Sequence, residues 1–288
     1  MKNAISLMLA LVLALSLAAC GGKNNAPEMV EAIPAQPVET TESTESAEPA
    51  AEPQEQAATY TVEARTAETE ITAEDGTLVG STKYTLNYLT TDGGEEMQAV
   101  CKTFNDAMDA FAAETYAEDS EFAAHSREVY EWQTSENIEF MPCYDEFGVT
   151  DTFMSDNMVS IVGAGSNYTG GAHPNNYMMA WNYDLQNGKF FTLNDLTDDP
   201  AALRAAIAEE VTIQIAAQNE SDMYNEDYAD TLRATEDFNV YFEAGNTMTV
   251  WFDEYVIAPH AAGIPAFSMD LSILDPFLNA AGAALLGR

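Results

Sequence analysis

The chain is short of positive charge: ten Lys and Arg stand against 48 Asp and Glu in 288 residues, a formal net charge of −38. So few bases provide no surface to displace phosphate counterions, which excludes nucleic acid as a partner. Three Cys and three His are too few for a disulfide framework or a zinc cluster, so no cofactor or metal is expected. The sequence also lacks a Gly-x-Ser-x-Gly elbow, a His-Glu-x-x-His pair, a Ser-x-x-Lys pair and a Gly-x-x-x-x-Gly-Lys loop, which removes the commonest hydrolase and phosphate-binding signatures. Carboxylate pairs carry no weight where one residue in six is acidic, because every Asp/Glu spacing occurs. An enzyme is therefore not expected. What is present is 47% apolar residues and 10% aromatics, enough to build a core despite the charge.

The only long apolar run lies at the start. Lys2 precedes an apolar stretch from Ala4 to Leu17, and Leu17-Ala18-Ala19-Cys20 follows with Gly21-Gly22. The run is short for a membrane helix, which needs about 20 apolar residues, and reads as a secretion signal over residues 1–19. The tetrapeptide matches the lipobox of bacterial lipoproteins, and that resemblance implies that Cys20 is acylated and becomes the new N-terminus. The expected address is the outer face of a bacterial cytoplasmic membrane, held by lipid and extending into the cell wall. Residues 20–58 alternate Pro27, Pro34, Pro37, Pro49 and Pro53 with eight glutamates, a composition expected to form an extended, disordered acidic tether. No later stretch is apolar enough to cross a membrane.

The eight glutamates and two lysines before residue 59 leave 40 acids and eight bases to the remainder. That remainder reads as α+β, with antiparallel sheets each covered by helices, in two consecutive subdomains, 59–148 and 149–288. Strands are expected around Tyr60–Ala64 and Tyr84–Tyr88, separated by a turn at Glu74-Asp75-Gly76. A helix carries Met97, Val100, Cys101, Phe104, Met108 and Phe111 on one face, with Asp92 and Glu95 as a capping pair. In the second half Met158–Val162 is a buried strand, and Tyr177, Met179, Trp181, Tyr183 and Leu185 mark one face of the next. Asn187-Gly188 suggests a two-residue type I′ hairpin. Asp199-Pro200 opens a helix with the stripe Leu203, Ile207, Val211 and Ile215. Phe238–Phe242 and Met248–Phe252 pair across Ala244-Gly245-Asn246, and a strand near Phe267 and a helix from Pro276 follow.

Two segments stand out as shaped loops. One is Gly163–Pro174, with four glycines and with Tyr168 and His173 at its tip; the other is Tyr255–Gly263, with Pro259 and His260. Tyr168, His173, Tyr255, Pro259 and His260 are the candidate binding residues. His125 sits among charged helix residues and reads as a solvated imidazole. Cys101 and Cys143 could pair outside the cell or remain as buried thiols. Asn182, Asp184 and Gln186 ahead of Gly188 fail the EF-hand spacing.

At these clusters the chain resembles a known family. Tyr168-Thr169-Gly170-Gly171-Ala172-His173-Pro174, Tyr183-Asp184-Leu185 with Asn187-Gly188-Lys189, Leu193 with Asp195-Leu196, and Phe252–Pro259 with Gly263 look like the extracellular domain of the RsiV-type anti-sigma factors. The resemblance covers about residues 59–275. It implies an extracellular recognition module, whose best understood relative senses lysozyme by binding it. No cytosolic segment or membrane helix of the anti-sigma type is evident here, so recognition rather than sigma-factor release is what the resemblance carries over. The expected partner is a cationic extracellular protein such as lysozyme or another wall hydrolase. The alternative is a peptidoglycan-binding lipoprotein using Trp132, Trp181 and Trp251 as stacking surfaces.

Overall fold

Alternating β-branched and aromatic residues open the chain as a long hairpin in the computed structural model, which describes residues 58–218 and 223–288. The expected signal, Cys20 and all of the tether but Ala58 lie outside the described residues. Strand β1 (Tyr60–Thr72) pairs antiparallel with β2 (Leu78–Thr91). The turn forms where Glu74-Asp75-Gly76 places it, with Gly76 at φ +84° and the Asp75 carboxylate accepting the Thr77 N–H at 2.9 Å.

Helix α1 (Glu95–Tyr116) lays Cys101, Phe104 and Met108 on the sheet, where they pack with Leu86, Tyr88 and Leu89. Its N-cap is Gly94, without a side-chain bond, and Asp92 instead accepts the Thr59 N–H at 2.9 Å. The expected Asp92–Glu95 cap is thus replaced, because the hairpin's first residues reach Asp92 before the helix does. Helix α2 (Glu121–Ser135) starts at Ser120, whose hydroxyl accepts the Ala123 N–H.

The helix pair is a crossover, so β3 (Cys143–Met154) joins β2 in parallel, with Gly80 opposite Cys143 and Thr85 opposite Gly148. This corrects the expectation of purely antiparallel sheets: two helices between strands return the chain to the end from which β2 began. Strands β4 (Met158–Tyr168), β5 (Asn175–Asp184) and β6 (Lys189–Phe190) complete a six-stranded sheet in chain order. The seam expected between residues 148 and 149 falls inside β3, and the first sheet runs through Phe190. Between β5 and β6 only Gly188 has positive φ, and the Asp184 carboxylate holds the turn by accepting the Gln186 and Asn187 N–H groups. The type I′ expectation fails because a carboxylate at the strand end supplies a four-residue turn instead.

Helix α3 (Pro200–Ala217) is capped by Asp199, and its stripe Leu203, Ile207, Val211 and Ile215 is fully buried. Burying each such side chain contributes about 1.5–3 kcal/mol. The stripe, with Leu232 of α4 (Tyr228–Ala234), packs on a second sheet of β7 (Asn239–Glu243), β8 (Thr247–Trp251) and β9 (Ala266–Asp270). A last helix, α5 (Ala280–Leu285), ends the chain. The fold is α+β with two sheets, and among the described residues no helix is long and apolar enough to cross a membrane.

A buried polar seam joins the sheets. The Ser160 hydroxyl accepts the Phe242 N–H at 2.8 Å and donates to Asn182 Oδ1 at 2.7 Å, while Asn182 Nδ2 donates to the Val240 carbonyl at 2.8 Å. Side chains of β4 and β5 thereby satisfy the outer edge of β7, where an unpaired buried backbone group would be costly. Cys101 and Cys143 are buried and unbridged. Burial raises the pKa of both thiols.

Candidate functional site

The first half of the glycine-rich segment is strand. Its residues through Tyr168 belong to β4, leaving 169–174 as the loop. Gly165 faces the Tyr177 ring so closely that an added Cβ would lie 2.3 Å from it. The absence of a side chain there makes room for an aromatic neighbour within a strand, where the sequence suggested a shaped loop. Gly170, at φ +84°, lets the loop rest against Val129 of α2. Tyr168 is buried at the strand end and stacks on Tyr144 with ring centroids 6.2 Å apart. It therefore does not serve as an exposed anchor.

The two candidate loops, more than 80 residues apart in sequence, meet at the surface. His173 and His260 stack with ring centroids 4.0 Å apart and planes at 20°. Tyr255 stacks on His260 with ring centroids 5.7 Å apart, and its hydroxyl donates to His173 Nε2 at 3.4 Å. His173 Nδ1–H donates to the Pro174 carbonyl at 2.9 Å, which leaves Nε2 free to accept. His260 Nδ1–H donates to Glu254 Oε2 at 2.8 Å, and Glu254 Oε1 accepts from Asn176 Nδ2 of β5 at 2.8 Å. The Glu254 side chain is only 5% exposed. Burial alone would raise its pKa, but hydrogen bonds from Asn176, through side chain and backbone, and from His260 bring it below the usual carboxylate value.

Backbone strain marks the same place. Tyr255 has φ +70°, a left-handed conformation that is uncommon for a bulky residue, and the residue is 56% exposed. Pro259 caps the 3₁₀ turn His260–Ala262, and Gly263 at φ +68° ends it. His125 on α2 donates from Nε2 to the Thr169 carbonyl at 3.1 Å. All three histidines of the sequence thus touch one loop or its stacked neighbour. The structure brings His173, Tyr255, Pro259 and His260 together and leaves Tyr168 beneath.

The cluster can accept and donate hydrogen bonds and offers flat ring faces to a partner. The hydrogen-bond partners of His173 and His260 among the described residues are Glu254, Tyr255 and the Pro174 carbonyl, none of them a serine or cysteine. Among the described residues no three His, Cys, Asp or Glu side chains are grouped to hold a metal ion.

A second polar cluster lies between the end of α1 and the first sheet, and sequence reasoning missed it. Tyr116 O–H donates to the Tyr177 hydroxyl at 3.0 Å, and Tyr177 donates to Asp145 Oδ1 at 2.6 Å. Asp145 is buried, and burial pushes its pKa up to about 6, partly offset by the Tyr177 bond. The only sequence signal was Tyr177 in an apolar alternation; nothing in the pattern distinguished Asp145 from the other acids. Of the three tryptophans, Trp251 is buried, Trp181 packs edge-on against Phe111 and Phe147, and Trp132 is exposed.

Among curated proteins no match to the chain was found. The chain is similar in structure to a DUF3298 family member from Bacteroides fragilis NCTC 9343, at 13% identity and a TM-score of 0.57, with 78% of this chain and 96% of that one covered. A DUF3298 family protein from Pseudomonas aeruginosa PAO1 aligns at 16% identity and a TM-score of 0.47, covering 77% of this chain and 95% of that one. At 13% identity the first likeness shows a shared fold. Residues 194–272, which hold α3, the second sheet and the Glu254–His260 loop, match the family model described as "Protein of unknown function (DUF3298)".

Proposed function

We propose that the chain is a lipid-tethered binding module on the outer face of a bacterial cytoplasmic membrane, and that its partner is a cationic extracellular protein such as lysozyme or another wall hydrolase. The observation that carries the reading is the meeting of His173, Tyr255 and His260, from two loops on different sheets, in a strained and exposed cluster. Aromatic groups held on ordered loops commonly supply the central contacts of protein interfaces. The charge of −38 supplies long-range attraction for a basic partner and makes association salt-dependent. The resemblance to RsiV-type extracellular domains supports the same partner class. The glycan alternative is weakened by the packing of Trp181 and Trp251 within the fold. Titration of the protein with lysozyme, at low and moderate salt, tests the proposal. Saturable binding that weakens with salt and is lost in the Tyr255→Ala, His260→Ala double variant is the expected result; no saturation at low salt overturns it for lysozyme.

A further inference from the structure

Strand β5 has an outer edge that is closed at both ends and open in the middle. Residues of a strand present N–H and C=O to alternate edges. The Asn182 carbonyl accepts the Phe191 N–H at 3.0 Å on the outer side, and the β4–β5 register is unbroken from Asn175 to Asp184. Asn176, Met178 and Ala180 therefore present their backbone groups outward as well. The Glu254 carboxylate covers the Asn176 end, through that residue's backbone and side-chain N–H groups. Strand β6 pairs only with Tyr183 and Asp184. Between these closures the N–H and C=O groups of Met178 and Ala180 have no strand to pair with among the described residues, along an edge about 20 Å long at the usual rise per residue.

This stretch forms one wall of a cleft of about 390 Å³, whose other walls include Phe190, Thr192, Asp237, Asn239 and Trp251. Trp251 is 3% exposed, and its indole N–H, one of two buried side-chain atoms in this position among the described residues, has no hydrogen-bond partner. An unpaired strand edge and Trp251, the residue that carries the buried unpaired donor, thus line one space. Buried polar groups are normally paired, and unpaired ones call for an explanation.

We propose that this cleft receives an extended, basic segment of a partner protein, which adds as a strand to the open edge of β5. Main-chain pairing to Met178 and Ala180 would hold the segment, and a carbonyl or side-chain acceptor would meet the Trp251 indole. The basic character follows from charge: Asp237 lies in the cleft, Glu254 at its end, and acids outnumber bases by 48 to ten over the whole chain. The recess, walled by Phe190 and Trp251, accommodates a single strand better than the sheet edge of a second copy. The inference rests on the reading that the partner is a cationic protein and places part of the contact beside the histidine cluster.

The test uses the full chain in mild detergent with acetyl-Lys-Val-Lys-Val-Lys-amide as probe. Controls are the same peptide with N-methylated valines, the same with N-methylated lysines, and the Glu-Val analogue. Saturable binding should slow amide exchange at Met178 and Ala180 while Met179, bonded to β4, is unchanged. One N-methylated peptide and the acidic peptide should bind at least about tenfold more weakly, the scale of a lost backbone bond. Ala180→Pro, which removes an outward N–H and leaves the β4 ladder intact, should weaken the probe similarly, and Trp251→Phe by a few-fold. Equal affinity of all peptides, binding without protection of Met178 and Ala180, or protection that grows with protein concentration in the absence of peptide, as a second copy would give, overturns the proposal. Lysozyme binding that persists in Ala180→Pro removes the cleft and leaves the loop cluster standing. Probe binding without lysozyme binding does the reverse.

Discussion

Two strand edges that lie side by side have been treated in opposite ways. The outer edge of β7 is closed by Ser160 and Asn182, which satisfy Phe242 and Val240 with short, dry hydrogen bonds. The outer edge of β5, two residues from Asn182, leaves Met178 and Ala180 facing a cleft. The first arrangement fuses the two sheets; the second leaves hydrogen-bonding capacity unused within the same fold. The difference teaches that an open edge here does not result from any general inability to cover one, because side chains a few residues away do so.

The comparison breaks most visibly at the seam. Asn182→Ala strips the Val240 carbonyl and the Ser160 hydroxyl of their partners in a buried site, and a loss of about 3 kcal/mol is expected in urea unfolding. A loss below about 1 kcal/mol would mean that the seam does not join the sheets. Next comes Asp145, where a buried group has a partner but carries the wrong charge. Its folded pKa near 6 exceeds the ordinary value of 3.8, so its stabilising contribution is complete below about pH 4 and is lost as pH rises through 6. Two units correspond to about 3 kcal/mol, and Asp145→Asn, which gives up the charge-assisted bond from Tyr177, should be about 1–2 kcal/mol more stable than the parent at pH 8. That advantage should vanish at pH 4; melting curves at both values decide it. Smaller again, Ala180→Pro on the open edge should cost under about 1 kcal/mol, since its N–H bonds to nothing among the described residues. The smallest effect belongs to Tyr255→Phe, which removes a long hydrogen bond to His173 at an exposed site and should change stability by a few tenths of a kcal/mol. Tyr255→Gly should be at least as stable as Tyr255→Ala, because glycine accepts φ +70° without strain.

Much of the fold was legible. The α3 stripe was readable because its spacing of four coincides with a single buried face and its Asp-Pro start is a local signal. The β4 and β5 alternations were readable for the same reason. The parallel pairing of β2 and β3 was not, since it depends on where two helices return the chain, which no local pattern encodes. The glycines of β4 misled because a glycine that makes room for a ring and one that permits a turn look alike in sequence. Of the candidate site, each loop was visible separately through His173 and Tyr255. Their stacking was invisible, because nothing in either segment refers to the other. Glu254 was lost among the other acids until its hydrogen bonds to His260 and Asn176 singled it out.

The two sequestered thiols, finally, make the protein its own clock. Cys101 lies under α1 against the first sheet, and Cys143 begins β3, on a different element. Both are almost wholly shielded from an alkylating reagent while their surroundings stay closed, and both react only as thiolates, which burial disfavours. The rate at which each is alkylated therefore counts excursions from the native state. Equal rates would show that helix and strand separate together; a faster Cys101 would show that α1 lifts while the sheet stays closed.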